Sequence, residues 1–320
     1  MVIVNWNSRD DVLAGVRSLR DQTDPDLEIV VVDNGSQDCS AAALRAEFPD
    51  VRVLEAGENL GFAEGCNRGI DATRSEWVFL FNNDAVAEPA CVAELRKAAA
   101  GAPDDVGMIQ PLIVFSSKPT HVNSSGVLLY TTGQARDRHF AEAVEAVQGA
   151  GDPLCSTAGA SLYRRAMLEK AKLESGYFDR GFFMYFEDVD LGWRCRLMGY
   201  RTLFVPAARV RHRFQGSSQR RGKTFVGTQC RVNRVAMLIH NGSLGLILRS
   251  LPLTAWDMGT VIREEGLRPP IRLIRRLPGL LRDRSRIGRL ARVNRAGLER
   301  TWLALPPARS PDPALPDRHD

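Results

Sequence analysis

Two acidic sites in this chain of 320 residues have residue types suited to chemistry. One lies in Gly181–Arg194, GFFMYFEDVDLGWR, where Glu187, Asp188 and Asp190 follow directly on the aromatic residues Phe182, Phe183, Tyr185 and Phe186. Carboxylates this close repel one another. A fold keeps them only where a metal, a helix N-terminus or a substrate proton offsets the cost. The segment LGWRCRLMGYR after them has a helical pattern, so the acids fall in a first helical turn. Asp190 then stands one turn before Arg194, close enough to pair with it. An acid-rich helix start is the plain alternative. The other site is Asn82-Asn83-Asp84, which follows the strand-like run Trp77–Phe81.

The elements that must position these residues are legible in the first third of the chain. Val2–Val4 is a short β-branched run. Asp10–Gln22 carries Val12, Leu13, Val16 and Leu19 at helical spacing. Leu27–Val32 (LEIVVV) is continuously apolar, as in a strand buried on both faces of a parallel sheet, and Asp33-Asn34-Gly35-Ser36 ends it as a turn. Cys39–Phe48 reads as a helix stopped by Pro49, Val51–Leu54 as a strand, Ala63–Thr73 as a helix and Trp77–Phe81 as a strand. This alternation predicts an α/β domain with a parallel sheet. Ligands of such sheets lie beyond the carboxyl ends of the strands. Asn5-Trp6-Asn7, Asp33-Asn34, Asn59 and Asn82-Asn83-Asp84 all fall there. Any one of these would pass as turn chemistry; four in succession suggest a ligand.

Farther along the pattern weakens. Pro111–Asp152 reads as loops and irregular strands around a substrate. Leu154–Tyr163 and Arg201–Val210 read as strands, the second interrupted by Pro206 and followed by His212. Val232–Leu253 is helical, and Pro306–Asp320 has the composition of a disordered tail. Six scattered cysteines without a CxxC pair exclude a zinc ribbon and a disulfide scaffold and fit a reducing cytosol. Met1 runs straight into VIVNWN, so no leader peptide is expected. No apolar run is long enough to span a bilayer. Neither a dinucleotide-binding GxGxxG nor a P-loop occurs. The net charge of +5 is concentrated as arginine between Val261 and Arg300, a balance that suits anionic lipid headgroups or nucleic acid, or a solvated helix face.

Taken in order, VIVNWNS, EIVVVDNGSQDCS, NLGFAEGCNRGI, VFLFNNDA, GYFDRGFFMYFEDVDLGWRCRLMGYR and VPAARVRH resemble the family 2 inverting nucleotide-sugar glycosyltransferases, in their rhamnosyltransferase-like branch. The likeness spans residues 2–240. It implies a GT-A fold, a mixed, mostly parallel sheet flanked by helices. A nucleotide-binding half (1–110) and an acceptor-binding half (111–230) would precede a basic helical extension (231–305) and the tail (306–320). It implies a Mg²⁺ or Mn²⁺ cofactor held by Asp84 and His212, with Asn82 where the family's DxD motif has its first Asp. Asp188 is then the catalytic base, with Glu187 assisting or touching the acceptor. Asp33 would accept a pyrimidine N3–H and Trp6 would stack on that base. Val4, Asn59, Gly61, Asn67 and Asn83 would complete the donor site, and Gly159, Ala160, Glu187 and Trp193 the acceptor site.

The implied partners are a nucleotide-diphospho-sugar, such as dTDP-rhamnose, and a glycan or lipid-linked glycan. The expected location is the cytoplasmic face of the membrane, reached through Val235–Trp256 and the arginines after it; nucleic acid is not expected as a partner. Arg231, Asn233 and Arg234 match the family's C-terminal RN-R pattern. A processive synthase is disfavoured because no QxxRW motif occurs near Gln215–Arg234. A nucleotidyltransferase would carry a basic glycine-rich loop where VIVNWNSR stands. A non-catalytic nucleotide-sugar or glycan-binding protein of the same fold is the remaining alternative, left open by NND in place of DxD.

Overall fold

A computed structural model describes residues 1–24, 26–213 and 222–306. The N-terminal β-branched run forms β1 (Val2–Asn5), and each apolar run after it becomes a strand joined by a helix: α1 (Arg9–Arg20), β2 (Val30–Asp33), α2 (Ser40–Glu47), β3 (Arg52–Glu55), α3 (Phe62–Asp71) and β4 (Trp77–Asn82). There follow β5 (Ala85–Ala87), α4 (Cys91–Ala100), β6 (Val106–Phe115), β7 (Val122–Ser124), β8 (Val127–Leu129) and β9 (Ala135–Asp137). Next come β10 (Ala160–Arg164), α5 (Arg165–Ala171), α6 (Glu187–Leu197) and β11 (Arg201–His212). Four helices close the described chain: α7 (Lys223–Asn241), α8 (Leu244–Glu265), α9 (Arg268–Leu290) and α10 (Arg295–Trp302).

The main sheet runs β3-β2-β1-β4-β10-β6-β11-β5, with β7 added to β6. It is mixed. The first four strands are parallel, β10 is antiparallel to both β4 and β6, and β11 is parallel to β6. Strand alternation splits the core between the two faces. Ile3, Val31, Phe79 and Phe81 meet α1, α2 and α4 through Val12, Val16, Leu44 and Leu95. Val2, Val78, Leu80 and Tyr163 meet Ile70, Leu168, Leu191 and Trp193 on the opposite side. Gly69 lets α3 lie directly on β1, since a Cβ there would come within 2.1 Å of Val2 Cγ1.

Several sequence expectations shift. The strand expected at Leu27 begins at Val30, because its neighbour β1 offers its first partner, Val2, opposite Val30. Part of the span read as loops and irregular strands, Pro111 to Phe115, belongs to the regular strand β6, which is buried at all ten of its positions. Buried on both faces, β6 has no polar alternation to reveal it. Its Pro111 is tolerated opposite Val205, beside the register break between Val205 and Arg209 in β11. The boundaries expected at 110 and 230 fall inside β6 and α7. The helical stretch from Val232 to Leu253 is broken at Gly242, after which Ser243 caps α8 by accepting from Leu246 N–H. Residues 307–320 of the expected tail, and 214–221 of the stretch lacking QxxRW, lie outside the described residues.

The C-terminal helices are tied to the sheet domain through Asp190. Its carboxylate, fully buried, accepts from Arg194 Nε (3.2 Å) and Asn241 Nδ2 (2.8 Å) and faces His240 Nδ1 at 2.9 Å. Burial opposes its charge, but His240 and Arg194 outweigh that and hold its pKa below the ordinary value. Asp190 therefore joins α6 to α7 and leaves the chemistry to its neighbours.

Candidate active site

Glu187 and Asp188 open α6, and the loop before them is conformationally constrained. Phe183, Tyr185 and Phe186 all have positive φ, at 63°, 68° and 69°, a region that non-glycine residues enter only at an energetic cost. Asn233 of α7 holds this loop: its Nδ2 lies 2.9 Å from each of the carbonyl oxygens of Phe182, Met184 and Tyr185. Arg276 of α9 donates to the carbonyl of Gly181 at 2.7 Å and pairs with Asp179. Gly61 brings the start of α3 against the same loop. It has φ +88°, and a Cβ there would lie 2.5 Å from the Phe183 carbonyl oxygen.

Asp188 is half-buried. Its Oδ2 accepts from Ala158 N–H at 3.0 Å and its Oδ1 from its neighbour Val189 N–H at 2.8 Å. Burial raises its pKa above the ordinary value, and those N–H groups only partly offset the rise. Glu187 is buried, with Oε2 unpartnered. Burial first, then the Asp188 charge, pushes its pKa well above the carboxylate range.

Asp84 follows β4, and β11 brings His212 to it. His212 Nε2 lies 3.0 Å from Asp84 Oδ1, and Asn82 Nδ2 lies 3.2 Å from the same ring nitrogen. On the other edge, Nδ1 faces Asn123 Oδ1 at 3.0 Å. A neutral ring that donates from Nδ1 to Asn123 has a single lone pair on Nε2, which either accepts from Asn82 or, with that amide turned aside, faces Asp84 Oδ1 across 3.0 Å. Two lone pairs facing each other call for a cation between them. In the protein alone a proton serves. Burial opposes the charged ring, but Asp84 and then Asp137 outweigh it and raise the His212 pKa above its ordinary value. Among the described residues no group of three or more His, Cys, Asp or Glu is suitably placed to hold a metal. A divalent ion at Asp84 and His212 would therefore have to complete its shell with ligand oxygens or water. Arg211 and Arg213, which flank the histidine, point elsewhere, to Glu88 and Asp11.

These groups share one cavity of about 470 Å³. Val4, Trp6, Asn59, Gly61, Asn83 and Asp84 form its wall on the side of the first four strands, while Gly159, Glu187, Asp188 and His212 lie on the side of the later elements. Asn59 Nδ2 is buried without an acceptor. Four expected residues lie off this wall. Asp33 accepts from Ser36 N–H at 3.0 Å and from Asn5 Nδ2 at 3.4 Å, while Asn5 accepts from Asn83, so it braces the wall from behind. Asn67 bonds both ways to the Phe178 backbone. Ala160 is buried in β10 beside β4, and Trp193 lies entirely in the core.

Of the polar wall residues, Asn34 is marked in the sequence only as part of a strand-end cluster, and Asn123 and Asp137 are not marked at all. Asn34 donates to the Gly61 carbonyl and accepts from Leu60 N–H, shaping the 59–61 loop. Its place after a strand was the available signal. Asn123 and Asp137 come from the short strands β7 and β9, where no periodicity marks them. Burial raises the Asp137 pKa to about 6, Asp188 adds to the rise, and Ser124 and His212 oppose it.

The model of the family described as glycosyl transferase family 2 matches residues 1–171. The chain belongs to that family. Among curated proteins it is similar to the N-acetylglucosaminyl-diphospho-decaprenol L-rhamnosyltransferase of Mycobacterium tuberculosis, 28% identical over 241 residues, covering 66% of this chain and 75% of the relative. Among solved structures it is similar to the mannosyltransferase PcManGT from Pyrobaculum calidifontis in complex with GDP-Man and Mn²⁺, with a TM-score of 0.53, 17% identity, and coverage of 90% of this chain and 84% of that one. It is also similar to GalNAc-T7 with UDP, GalNAc and Mn²⁺, with a TM-score of 0.61, 14% identity, and coverage of 83% and 56%. At these identities the two structures establish the GT-A fold; with the family match, the chain is a glycosyltransferase.

Proposed function

We propose that this chain moves a sugar from a nucleotide-diphospho-sugar to a hydroxyl of a lipid-linked glycan, by one displacement that inverts the anomeric carbon. The reading rests on one observation: Asp84 and Asp188, 104 positions apart in sequence, line the same cavity. Asp188 would take the acceptor proton as the acceptor oxygen bonds to the anomeric carbon and the bond from that carbon to the diphosphate breaks, its electrons leaving with the diphosphate. A raised pKa makes it a stronger base than an exposed aspartate. A divalent ion bound at Asp84 and His212 would supply positive charge to the leaving diphosphate. Asn82 and Asn123 fix the ring of His212, Trp6 offers a face for the base, and the unpartnered Asn59 amide offers a donor to ribose or phosphate. The name of the mycobacterial relative supports a rhamnosyl donor and a lipid-linked acceptor; dTDP-rhamnose is the donor to try first.

The test is a thermal-shift panel of nucleotide-sugars with and without Mn²⁺, followed by the anomeric configuration of the product. A shift that needs both nucleotide and metal, and an inverted product, is expected. Absence of any nucleotide-sugar shift, or a retained configuration, would overturn the proposal. A binding protein without catalysis would shift in the panel yet transfer nothing.

A further inference from the structure

Helices α8 and α9 pack on α7 and on each other, joined through Gly266 and Leu267. Their inner sides are buried through Leu246, Asp257 and Val261 on α8 and Leu273, Leu280 and Ile287 on α9. Their outer sides are unlike the surface of an ordinary domain. On α8 the exposed residues Leu244, Leu248 and Leu251 recur at helical spacing with Trp256 beside them, and Leu244 and Trp256 are 66% and 71% exposed. On α9 Ile271, Ile274 and Leu281 do the same, with Ile274 61% exposed. Large apolar side chains exposed repeatedly along both helices point to an interaction surface.

The charge among these residues identifies the partner. Arg249, Arg263, Arg268, Arg275, Arg286 and Arg289 are exposed, and none has a carboxylate within ion-pair distance among the described residues. The exposed acids of the two helices are only Glu264 and Glu265, at the turn, and Glu264 already pairs with Arg231. A second copy meeting this face about a two-fold axis would bring arginine against arginine. An anionic bilayer surface complements both features, taking apolar side chains below the headgroups and guanidinium groups among the phosphates. No described helix is long and apolar enough to cross a membrane, so the helices would lie in the interface.

We infer that the outer face of α8 and α9 is a docking surface for anionic phospholipid. Its position serves the site. The α7 helix beneath it supplies Val226 and Cys230 to the cavity wall, and Arg276 of α9 grips the loop before Glu187. An acceptor anchored in the bilayer would thus arrive beside the acids.

The test is co-sedimentation of the full chain with vesicles of phosphatidylcholine alone and of phosphatidylcholine mixed with phosphatidylglycerol. These contain neither donor nor glycan, so the result is independent of the transfer reaction. Binding to the anionic vesicles is expected, and it weakens with added salt. Arg275→Ala with Arg286→Ala should weaken it on the order of fivefold per arginine. Trp256→Ser with Ile274→Ser should weaken it at least tenfold while melting temperature stays near that of the parent. The inference is overturned if the chain ignores phosphatidylglycerol or if both variant pairs bind like the parent. It is also overturned if sedimentation shows a dimer that Trp256→Ser dissociates and that does not bind vesicles.

Discussion

Asn233 offers the sharpest test of how the fold holds its acids. Three residues of the Phe183–Phe186 loop occupy the left-handed region, at about 1 kcal/mol or more each. The loop therefore carries roughly 3 kcal/mol of strain that its surroundings must balance. The Asn233 amide has two N–H bonds and three carbonyls at 2.9 Å. Removing it in Asn233→Ala leaves these part-buried oxygens without that donor, a loss of about 2–3 kcal/mol. At about 2–4 °C per kcal/mol for a domain of this size, the melting temperature should fall by about 4–12 °C. The rate should fall further than stability alone explains. Energy of this size is comparable with the strain it restrains, so the loop can relax, and Phe186, which precedes α6, carries Glu187 and Asp188 with it. Misplacement of a catalytic group by about 1 Å costs about a hundredfold. The assay is kcat/KM for sugar transfer, measured well below the melting temperature. The control is Leu44→Ala, which opens a cavity in the core under α2 at a similar or larger cost in stability. The expected result is a comparable loss of melting temperature in both variants and a hundredfold loss of kcat/KM only in Asn233→Ala. If Asn233→Ala melts early and still turns over within about threefold of the parent, the loop is held by something else and the reasoning fails.

Three further outcomes follow from the same geometry. Asp188→Asn should lower kcat by about a hundred- to ten-thousandfold while the thermal shift with nucleotide-sugar persists; near-parental turnover would remove Asp188 as the base. Asn123→Ala frees the His212 ring at Nδ1, so the Mn²⁺ concentration for half-maximal activity should rise about 10- to 100-fold, and an unchanged metal titration would count against ligation by His212. Glu187→Gln tests the buried acid through stability. A carboxyl whose folded pKa is raised contributes no penalty below its unfolded value, about 4.3, and destabilises increasingly as pH rises through the folded value. The variant should therefore melt above the parent at neutral pH and lose that advantage near pH 4, and a pH-independent difference would mean that Glu187 is not held protonated.

What the sequence revealed and what it hid follow the same physics. β1, β2 and β4 are visible because parallel strands covered on both faces are apolar runs, and the helices that follow them carry an apolar stripe. Asp84 is visible as an acid at a strand end, and Glu187 and Asp188 as adjacent carboxylates that open a helix behind an aromatic cluster. Asn123 and Asp137 were not visible. They belong to strands of three residues, too short to show a period, and only the register of β7 on β6 carries Asn123 to His212. Asp33 and Asn67, which lie off the wall, draw attention in the sequence for the opposite reason. Their types suit ligand contact, but a buried polar group bonded to backbone looks the same in sequence as one waiting for a ligand. For Asn67 the difference lies in Phe178, 111 positions away, and no local pattern encodes that.

The Asn at position 82 can be understood from the charge the cavity already holds. Asp84, Asp137, Glu187 and Asp188 line one space, with Arg136 and His212 as the basic side chains on its wall. Two unit charges 4 Å apart cost about 4 kcal/mol at an effective dielectric of about 20, and a bound diphosphate would add to the repulsion. Protonation of Glu187, held well above the carboxylate range by burial, relieves part of this, and Asp137, raised to about 6, joins it only below neutral pH. Uncharged amides do the rest where orientation matters more than charge. Asn83 is fixed by Asn5, Asn123 holds one edge of His212, and Asn82 donates to the other. An aspartate at 82 could only accept there. It would compete with Asp84 for the same ring nitrogen and add a charge beside it. The amide adds no charge, and when it turns away from Nε2 the one lone pair there is left to a cation held by Asp84, so NND keeps residues able to take a cation.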